Sequence, residues 1–288
     1  MKSNSLYNIF SKVLSLPKFD GEEFQRLLTS PKFSKIDSLK WTEERIPFVI
    51  QTIVIYLVSI FTLQKVMKNY EAFKLNIPLA IWNLFLSVYS TITVYYLYND
   101  FFGSIMKYGI IDSWCVLGDY DKGITGYYVW LFTISKLFEL IDTFFIVLRK
   151  KPLRFIHWYH HIVTLIFIFL TYIQISAFVR WGIFLNASVH SVMYFYYFMR
   201  TLNIKVNKFI PIIITSLQIL QFIISCGGLI NITYKHFFTK DICHTNTFIL
   251  LFAASMDFSY LFLFINFFIH SYFKKSNTLK GSKKVKQN

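Results

Sequence analysis

Charge is scarce in this sequence, and acid is scarcer still. Of 288 residues 16% are charged, with 15 acids against 30 bases, whereas a soluble domain carries about 25%. A chain so poor in ions cannot cover a folded surface with them, which excludes a disordered, fibrous or ordinary cytosolic protein. Residues 1–45 lack the apolar core of a cleaved signal peptide, so the first long apolar stretch is expected to act as an uncleaved signal anchor. Linkers, internal repeats and low-complexity segments are also missing, which leaves one structural unit. What is present is apolar: 55% hydrophobic residues and 20% aromatic ones. The net charge of +15 on such a chain points to anionic lipid or an anionic ligand. The bases sit in small loop clusters rather than along one face, which argues against nucleic acid.

Seven apolar stretches follow one another: Ile46–Leu63, Ile77–Tyr98, Tyr127–Leu148, Ile156–Ile175, Gly182–Tyr197, Phe209–Ile230 and Thr247–Phe273. Crossing hydrocarbon as a helix takes about 20 residues, so the expected fold is an all-α integral membrane protein with seven transmembrane helices. The expected organisation is a polar segment 1–45, a membrane domain 46–273 and a basic tail 274–288. Trp114, Trp130, Trp158 and Trp181 fall near the ends of stretches, where an indole can keep its N–H in water. Lys65, Lys68 and Lys74, the Arg149–Arg154 cluster, Arg200, Lys205, Lys208 and six tail lysines place sixteen bases on one side. Lys107, Lys122, Arg180, Lys235 and Lys240 place five on the other. The richer side is expected to be cytosolic, with the N-terminus opposite. The ending Lys284-Val-Lys286-Gln-Asn288 resembles a dilysine retrieval signal of the endoplasmic reticulum, which must be cytosolic to act.

Ionisable groups inside apolar spans are costly and mark sites by default. The third stretch carries Lys136, Glu139, Asp142 and Thr143. The fourth opens with His157-Trp-Tyr-His160-His161, a spacing that turns three imidazoles to one face. The fifth holds Asn186 and His190, followed by Met193, Tyr194 and Tyr197, and the sixth holds Thr215, Gln218 and Gln221. Counted from the base-rich ends, Asp142 and His160 lie roughly 6–10 Å deep, His190 and Gln218 about 10–14 Å, and Lys136 about 18 Å. Four helices thus contribute to one polar chamber. Taken singly, Lys136–Glu139 can also be read as a packing ion pair, Gln218 and Gln221 equally as interhelical hydrogen-bonding groups, and a lone His190 is more often structural than catalytic.

Two enzyme classes fit such a chamber, with a transporter as a third reading. Imidazoles at i, i+3 and i+4 can share a metal, as in membrane di-iron oxygenases, with Glu139 and Asp142 supplementing a short histidine supply. Acyl transfer instead needs an electrophile holder, a base and an oxyanion stabiliser. Cys115, Cys226 and Cys243 all map away from the chamber, so a nucleophile there would be an imidazole, or two substrates would react directly. Against a transporter, the stretches show no paired halves broken by Gly and Pro.

The residues also carry a resemblance. Lys136-x-x-Glu139-x-x-Asp142-Thr143, His157-x-x-His160-His161, Asn186-x-x-x-His190-x-x-Met193-Tyr194-x-Tyr196-Tyr197 and Thr215-x-x-Gln218-x-x-Gln221 occur in that order. Leu148-Arg-Lys-Lys-Pro-Leu153, Trp82-Asn83 and Gly123-x-x-Gly126 accompany them. Over about residues 40–275 the sequence resembles the ELO family of very-long-chain fatty acid elongases. The resemblance implies helices 2–7 arranged as a closed-ended barrel around an acyl tunnel. It implies a 3-oxoacyl-CoA synthase that condenses acyl-CoA with malonyl-CoA, releasing CO2 and CoA, without metal or redox cofactor. Implied partners are the lipid bilayer, the reductases and dehydratase that complete each cycle, and further copies of the chain; the implied location is the endoplasmic reticulum membrane.

Under that resemblance His160 is the expected acyl acceptor and His190 the base or hydrogen-bond donor. His157 and His161 orient or polarise, while Asp142 and Glu139 set imidazole tautomer and charge. Asn186, Gln218 and Gln221 face a developing oxyanion, and Tyr194 and Tyr197 line the substrate path. Arg149, Lys150, Lys151 and Arg154 meet CoA phosphate, and Lys136 either pairs with Glu139 or touches substrate. The Glu-Leu-Ile-Asp-Thr and His-Trp-Tyr-His-His forms look most like the branch acting on saturated and monounsaturated chains. Cys115 and Cys243, in loops expected to be lumenal, are expected to form a disulfide, with Cys226 a buried thiol. Asn231-Ile-Thr233 is a glycosylation sequon expected in the loop between the sixth and seventh stretches.

Overall fold

The computed structural model describes residues 21–29, 32–239 and 243–274, and among them every regular element is helical. Two short helices come first, α1 (Gly21–Thr29) and α2 (Lys35–Glu44), then α3 (Ile46–Val66) and α4 (Asn76–Asp112). They are followed by α5 (Gly123–Phe138), α6 (Ile141–Leu148), α7 (Phe155–Gln174), α8 (Val179–Thr201), α9 (Ile210–Phe238) and α10 (Thr247–Phe268), which runs on into a π-helical turn at Ile269–Lys274. Apolar sequence forms helices here because hydrocarbon offers no partner for an open backbone group. Among the described residues five elements are long and apolar enough to cross a membrane: Ile46–Asn69, Asn76–Asp112, Phe155–Gln174, Ile210–Phe238 and Thr247–Phe273. Much of their apolar surface points outward, with Val54, Ile81, Phe85, Ile223, Leu251 and Phe262 all exposed, as lipid-facing side chains are.

The two remaining apolar stretches fall short for a reason that concerns the site. The third is not one helix. It breaks at Glu139–Leu140, where Asp142 N bonds Glu139 O at 3.1 Å and Thr143 N bonds Leu140 O at 3.3 Å; these i→i−3 bonds tighten the chain between α5 and α6. The fifth is a continuous 23-residue helix, α8, whose apolar character is diluted by Arg180, Asn186, His190 and Arg200. Both carry the polar residues singled out above.

Contacts between helices run in a cycle: α4 packs on α8, α8 on α9, α9 on α10, α10 on α7, α7 on α5, and α5 back on α4. Helix α3 lies outside it, against α6 and α7. Helices α1 and α2 cover one end of the cycle. Ser38 and Tyr172 share a hydrogen bond of 2.7 Å, Tyr127 donates to Leu28 O at 3.0 Å, and Lys35 pairs with Asp121. Ser34 caps α2 by accepting from Asp37 N.

That end is heavily tied. Cys115 and Cys243 form a disulfide across 128 residues of sequence, and His244 N bonds Cys115 O at 3.1 Å. Arg180, wholly buried, donates to Ser113 O, Val116 O, Leu117 O and Asp100 at 2.7–3.4 Å. The Trp114 and Trp181 rings stack at 4.5 Å. Trp114 also lies where a side chain on Gly228 would sit, since a Cβ there would meet the indole at 2.4 Å. Cys226 is a buried free thiol.

Several expectations are corrected here. Trp114, Trp130 and Trp181 are core residues rather than interface anchors; Trp130 packs against Trp41 and Phe24, brought over it by α1 and α2. Helix α9 continues eight residues past Ile230, so the Asn231 sequon lies within a helix and not in a loop. The extension is secured by an ion pair between Lys235 and Asp112 at 2.5 Å. The tail signal at Lys284–Asn288, Lys240 and the bases after Lys274 lie outside the described residues.

Candidate active site

At the end opposite the disulfide, a cavity of about 690 Å3 opens between α4, α6, α7, α8, α9 and α10. Its wall includes His157, His160, His161, His190, Asp142, Asn186, Gln218, Gln221, Tyr194 and Tyr197, and Arg149, Lys151, Arg154 and Arg200 line it as well. Fourteen residues drawn from Asp142 to Gln221, on four helices and the loop between α6 and α7, thus face one space. A second, narrow cavity of about 70 Å3 shares His160, Asn186, Gln221 and Phe222 with the first and continues toward Trp114. Its lining is mostly apolar: Phe132, Phe167, Ile168, Phe178, Ile183 and Leu229 among others. The shape is a polar antechamber leading to an apolar slot.

The break between α5 and α6 supplies the first network. Lys136 Nζ donates to Glu139 Oε1 at 2.7 Å and to Asn186 Oδ1 at 3.1 Å, and its ammonium lies 4.2 Å from the Phe132 ring centre. Lys136 and Glu139 are both buried, so each makes the other's charge tolerable. Because Asn186 uses its carbonyl on Lys136, its amide nitrogen is the donor to His190 Nε2 at 3.2 Å. The His190 proton then sits on Nδ1, which faces Glu139 Oε2 at 3.9 Å. Lys136 therefore reaches His190 through Asn186, an arrangement in which packing pair and site component are the same group.

Asp142 behaves differently from expectation. Its two oxygens accept from Trp82 Nε1 at 2.5 Å and Tyr194 OH at 2.7 Å, and among the described residues no hydrogen bond to a histidine joins it. Following the i→i−3 turn, it fastens α4 and α8 to α6 through Trp82 and Tyr194. His157 Nε2 shares a 3.0 Å hydrogen bond with Thr143, which Tyr56 holds at 2.6 Å. The His157 and His161 rings pack edge to face at 4.6 Å. His160 sits where the two cavities meet. Tyr260 donates to its backbone carbonyl at 3.1 Å, and its own Nδ1 is buried without a hydrogen-bond partner.

The remaining expected residues divide. Gln221 is buried on the shared wall, and Gln218 points its amide at Met193 Sδ, 3.2 Å away. Arg154 lies over the Phe267 ring at 4.6 Å, and Arg149 reaches Asn76 at 3.1 Å. Lys150 does not line the cavity. It adopts φ 52° and donates to Tyr70 O at 3.0 Å, because the left-handed turn directs it outward. Sequence reasoning missed Trp82 as the anchor of Asp142, and Tyr56, Tyr260 and Arg200; of these Arg200 was legible as a base at the end of a site-bearing helix. Among the described residues no three His, Cys, Asp or Glu side chains converge as metal ligands would, since Glu139, Asp142 and His157 are each engaged elsewhere.

The sequence matches a known family and named relatives over most of its length. A family model described as ELO, GNS1/SUR4 family, matches residues 41–280. The chain is 44% identical over 268 residues to long chain fatty acid elongase 1 of Caenorhabditis elegans, covering 92% of this chain and 91% of that protein. It is 39% identical over 269 residues to long chain fatty acid elongase 2 of the same organism, covering 88% and 97%. To very long chain fatty acid elongase 3 of Homo sapiens it is 34% identical over 221 residues, covering 77% and 81%.

Proposed function

From the premise that this chain belongs to the ELO, GNS1/SUR4 family, we propose that its two-part cavity is the site at which fatty acids are elongated. The protein is a membrane-embedded fatty acid elongase that acts in the condensing step. In finer terms, it joins a long-chain acyl-CoA to malonyl-CoA, giving 3-oxoacyl-CoA, CO2 and CoA, without metal or redox cofactor. The reading extends to seven spans, with α4 to α10 forming the barrel; the cycle of helix contacts supports it. It extends also to an endoplasmic reticulum location with a lumenal N-terminus, where a disulfide at the Cys115 end is chemically at home. Reductases and a dehydratase of the same membrane would act on the product, and saturated or monounsaturated chains are the proposed substrates.

One observation carries the mechanism: His160, whose Nδ1 has no hydrogen-bond partner, lines both the polar chamber and the apolar slot. A buried nitrogen without a partner is rare and calls for a functional explanation. With the acyl chain in the slot, the thioester carbonyl lies beside this ring while CoA stays among Arg149, Lys151, Arg154 and Arg200. Imidazole nitrogen attacks the carbonyl carbon, the carbon–sulfur bond breaks, and CoA departs as the thiol with the proton the imidazole gives up. Malonyl-CoA then loses CO2, and the resulting enolate carbon attacks the acyl-imidazole, returning the electron pair to His160, which takes up a proton. Asn186 and Gln221 are placed to donate to the oxyanion. His190, held through Asn186 and Lys136, assists as hydrogen-bond donor or proton carrier. The apolar slot keeps water from the acyl-imidazole.

Purified protein incubated with acyl-CoA alone tests this sequence of events. It should release CoA and add one acyl mass to a peptide containing His160. Labelled malonyl-CoA should then lose CO2 only in the presence of acyl-loaded protein. Product formed solely from a ternary complex, with no CoA released beforehand, would remove the covalent step and leave His160 as a base.

A further inference from the structure

The narrow cavity contains a polar pair that the proposed condensation does not use. Asp257, in the apolar helix α10, is 9% exposed and lines the slot. Ser225 on α9, also buried, lines the same slot beside it. No cation lies within ion-pairing distance of Asp257 among the described residues. The other two polar side chains at this level are already occupied: Tyr260 OH donates to His160 O at 3.1 Å and takes the Thr164 hydroxyl proton at 2.9 Å. An acid without a cation inside a membrane helix costs several kcal/mol by usual standards, and a neighbouring serine offsets little of that.

We infer that Asp257 and Ser225 form a binding station for a hydroxyl group carried on the acyl chain, so that hydroxylated acyl-CoAs are preferred substrates. This rests on the reading that the acyl group is held at His160. The rest of the slot is made of Phe132, Phe167, Ile168, Phe222 and Leu229, which suit an alkyl chain and exclude a freely hydrated ion. A single neutral donor and acceptor on that chain satisfies a carboxyl and a serine together, whereas an unsubstituted chain strips both of water and returns nothing.

The helix register fixes the position of the hydroxyl. Asp257 is three residues from Tyr260 and Ser225 four residues from Gln221, so the pair lies about 5–6 Å beyond the His160 level. An extended chain advances about 1.2 Å per bond, from 3.3–3.6 Å for the three bonds of one residue. The hydroxyl is therefore expected about four to five bonds from the thioester carbonyl carbon.

The test compares acyl-CoAs of one chain length, unsubstituted or hydroxylated on carbon 5, on carbon 6, or near the methyl end, with wild-type enzyme in detergent and labelled malonyl-CoA. The wild type should favour the carbon-5 or carbon-6 hydroxy chains in kcat/KM by roughly five- to tenfold over both others. Asp257→Leu should abolish the preference and lower KM for the unsubstituted chain, because a buried acid without a cation is gone. Asp257→Asn, which keeps hydrogen-bonding capacity, should retain most of the preference and controls for folding. Equal kcat/KM for all chains in the wild type, or an Asp257→Leu variant that loses activity on every chain alike while Asp257→Asn restores it, would overturn the station. Failure of the wild type to condense any acyl-CoA would instead remove the elongase reading beneath it.

Discussion

Two buried cations separate the halves of this molecule. Arg180, at the disulfide end, gives its hydrogen bonds to three backbone carbonyls and Asp100, and it lines neither cavity. Lys136 gives its bonds to Glu139 and Asn186, side chains that lead on to His190, and it faces the slot. Both sit in apolar helices where a charge is costly, yet one closes a structure and the other holds an open site. An intramembrane charge therefore marks function when its partners are side chains that end in a void, and architecture when its partners are backbone carbonyls of a neighbouring turn.

The sharpest break of this contrast is at the open end. Replacing His160 by Ala should reduce condensation about thousandfold or more and abolish the acyl adduct, as read by mass spectrometry of the loaded peptide, without lowering the melting temperature. Next come the two cations. Arg180→Met should cost about 3–5 kcal/mol of stability, since it strands Asp100 and three carbonyls, and the surviving folded fraction should keep its KM in a kinetic assay. Lys136→Met should lower kcat about a hundredfold; adding Glu139→Gln should restore the melting temperature while leaving kcat low, because the relay to His190 stays broken. Equal kinetic damage from Arg180→Met and Lys136→Met would erase the distinction between the halves.

Smaller effects sharpen it. Cys115→Ser should lower stability by about 2–4 kcal/mol in detergent thermal unfolding, with the chamber's pH profile unaltered. Gly228→Ala pushes a methyl against Trp114 and should cost about 1–3 kcal/mol, with elongation of the longest accepted chains lost first in a chain-length panel. The least effect is expected from Arg149→Ala with Arg154→Ala: KM for both CoA substrates should rise about three- to tenfold, with kcat held, because these cations at the cavity mouth meet phosphate close to solvent.

Much of this was open to sequence reading. The histidine triplet, Lys136 with Glu139, Asn186 with His190, and Gln221 were recognisable because polar residues at helical spacing stand out in apolar stretches and because their spacings follow a family pattern. Asp142 shows the limit. Spacing put it beside Glu139, but whether it serves a histidine depends on the turn at Glu139–Leu140, which hands it to Trp82 and Tyr194, 60 and 52 residues away in the chain. Lys150 shows another, since one left-handed residue in a basic cluster turns its side chain out of the cavity.

The amino-acid sequence by itself determined that this chain is helical, lies in a membrane and concentrates polar groups in four of its apolar stretches, because hydropathy and helical period are local properties. Tertiary structure alone decided which polar groups meet. It joined Lys136 to His190 through Asn186, placed His160 in the walls of both cavities, and set Asp257 beside Ser225 in an apolar slot. Those are contacts between helices distant in sequence, and a helix fixes the direction of its side chains without fixing which neighbour will stand there.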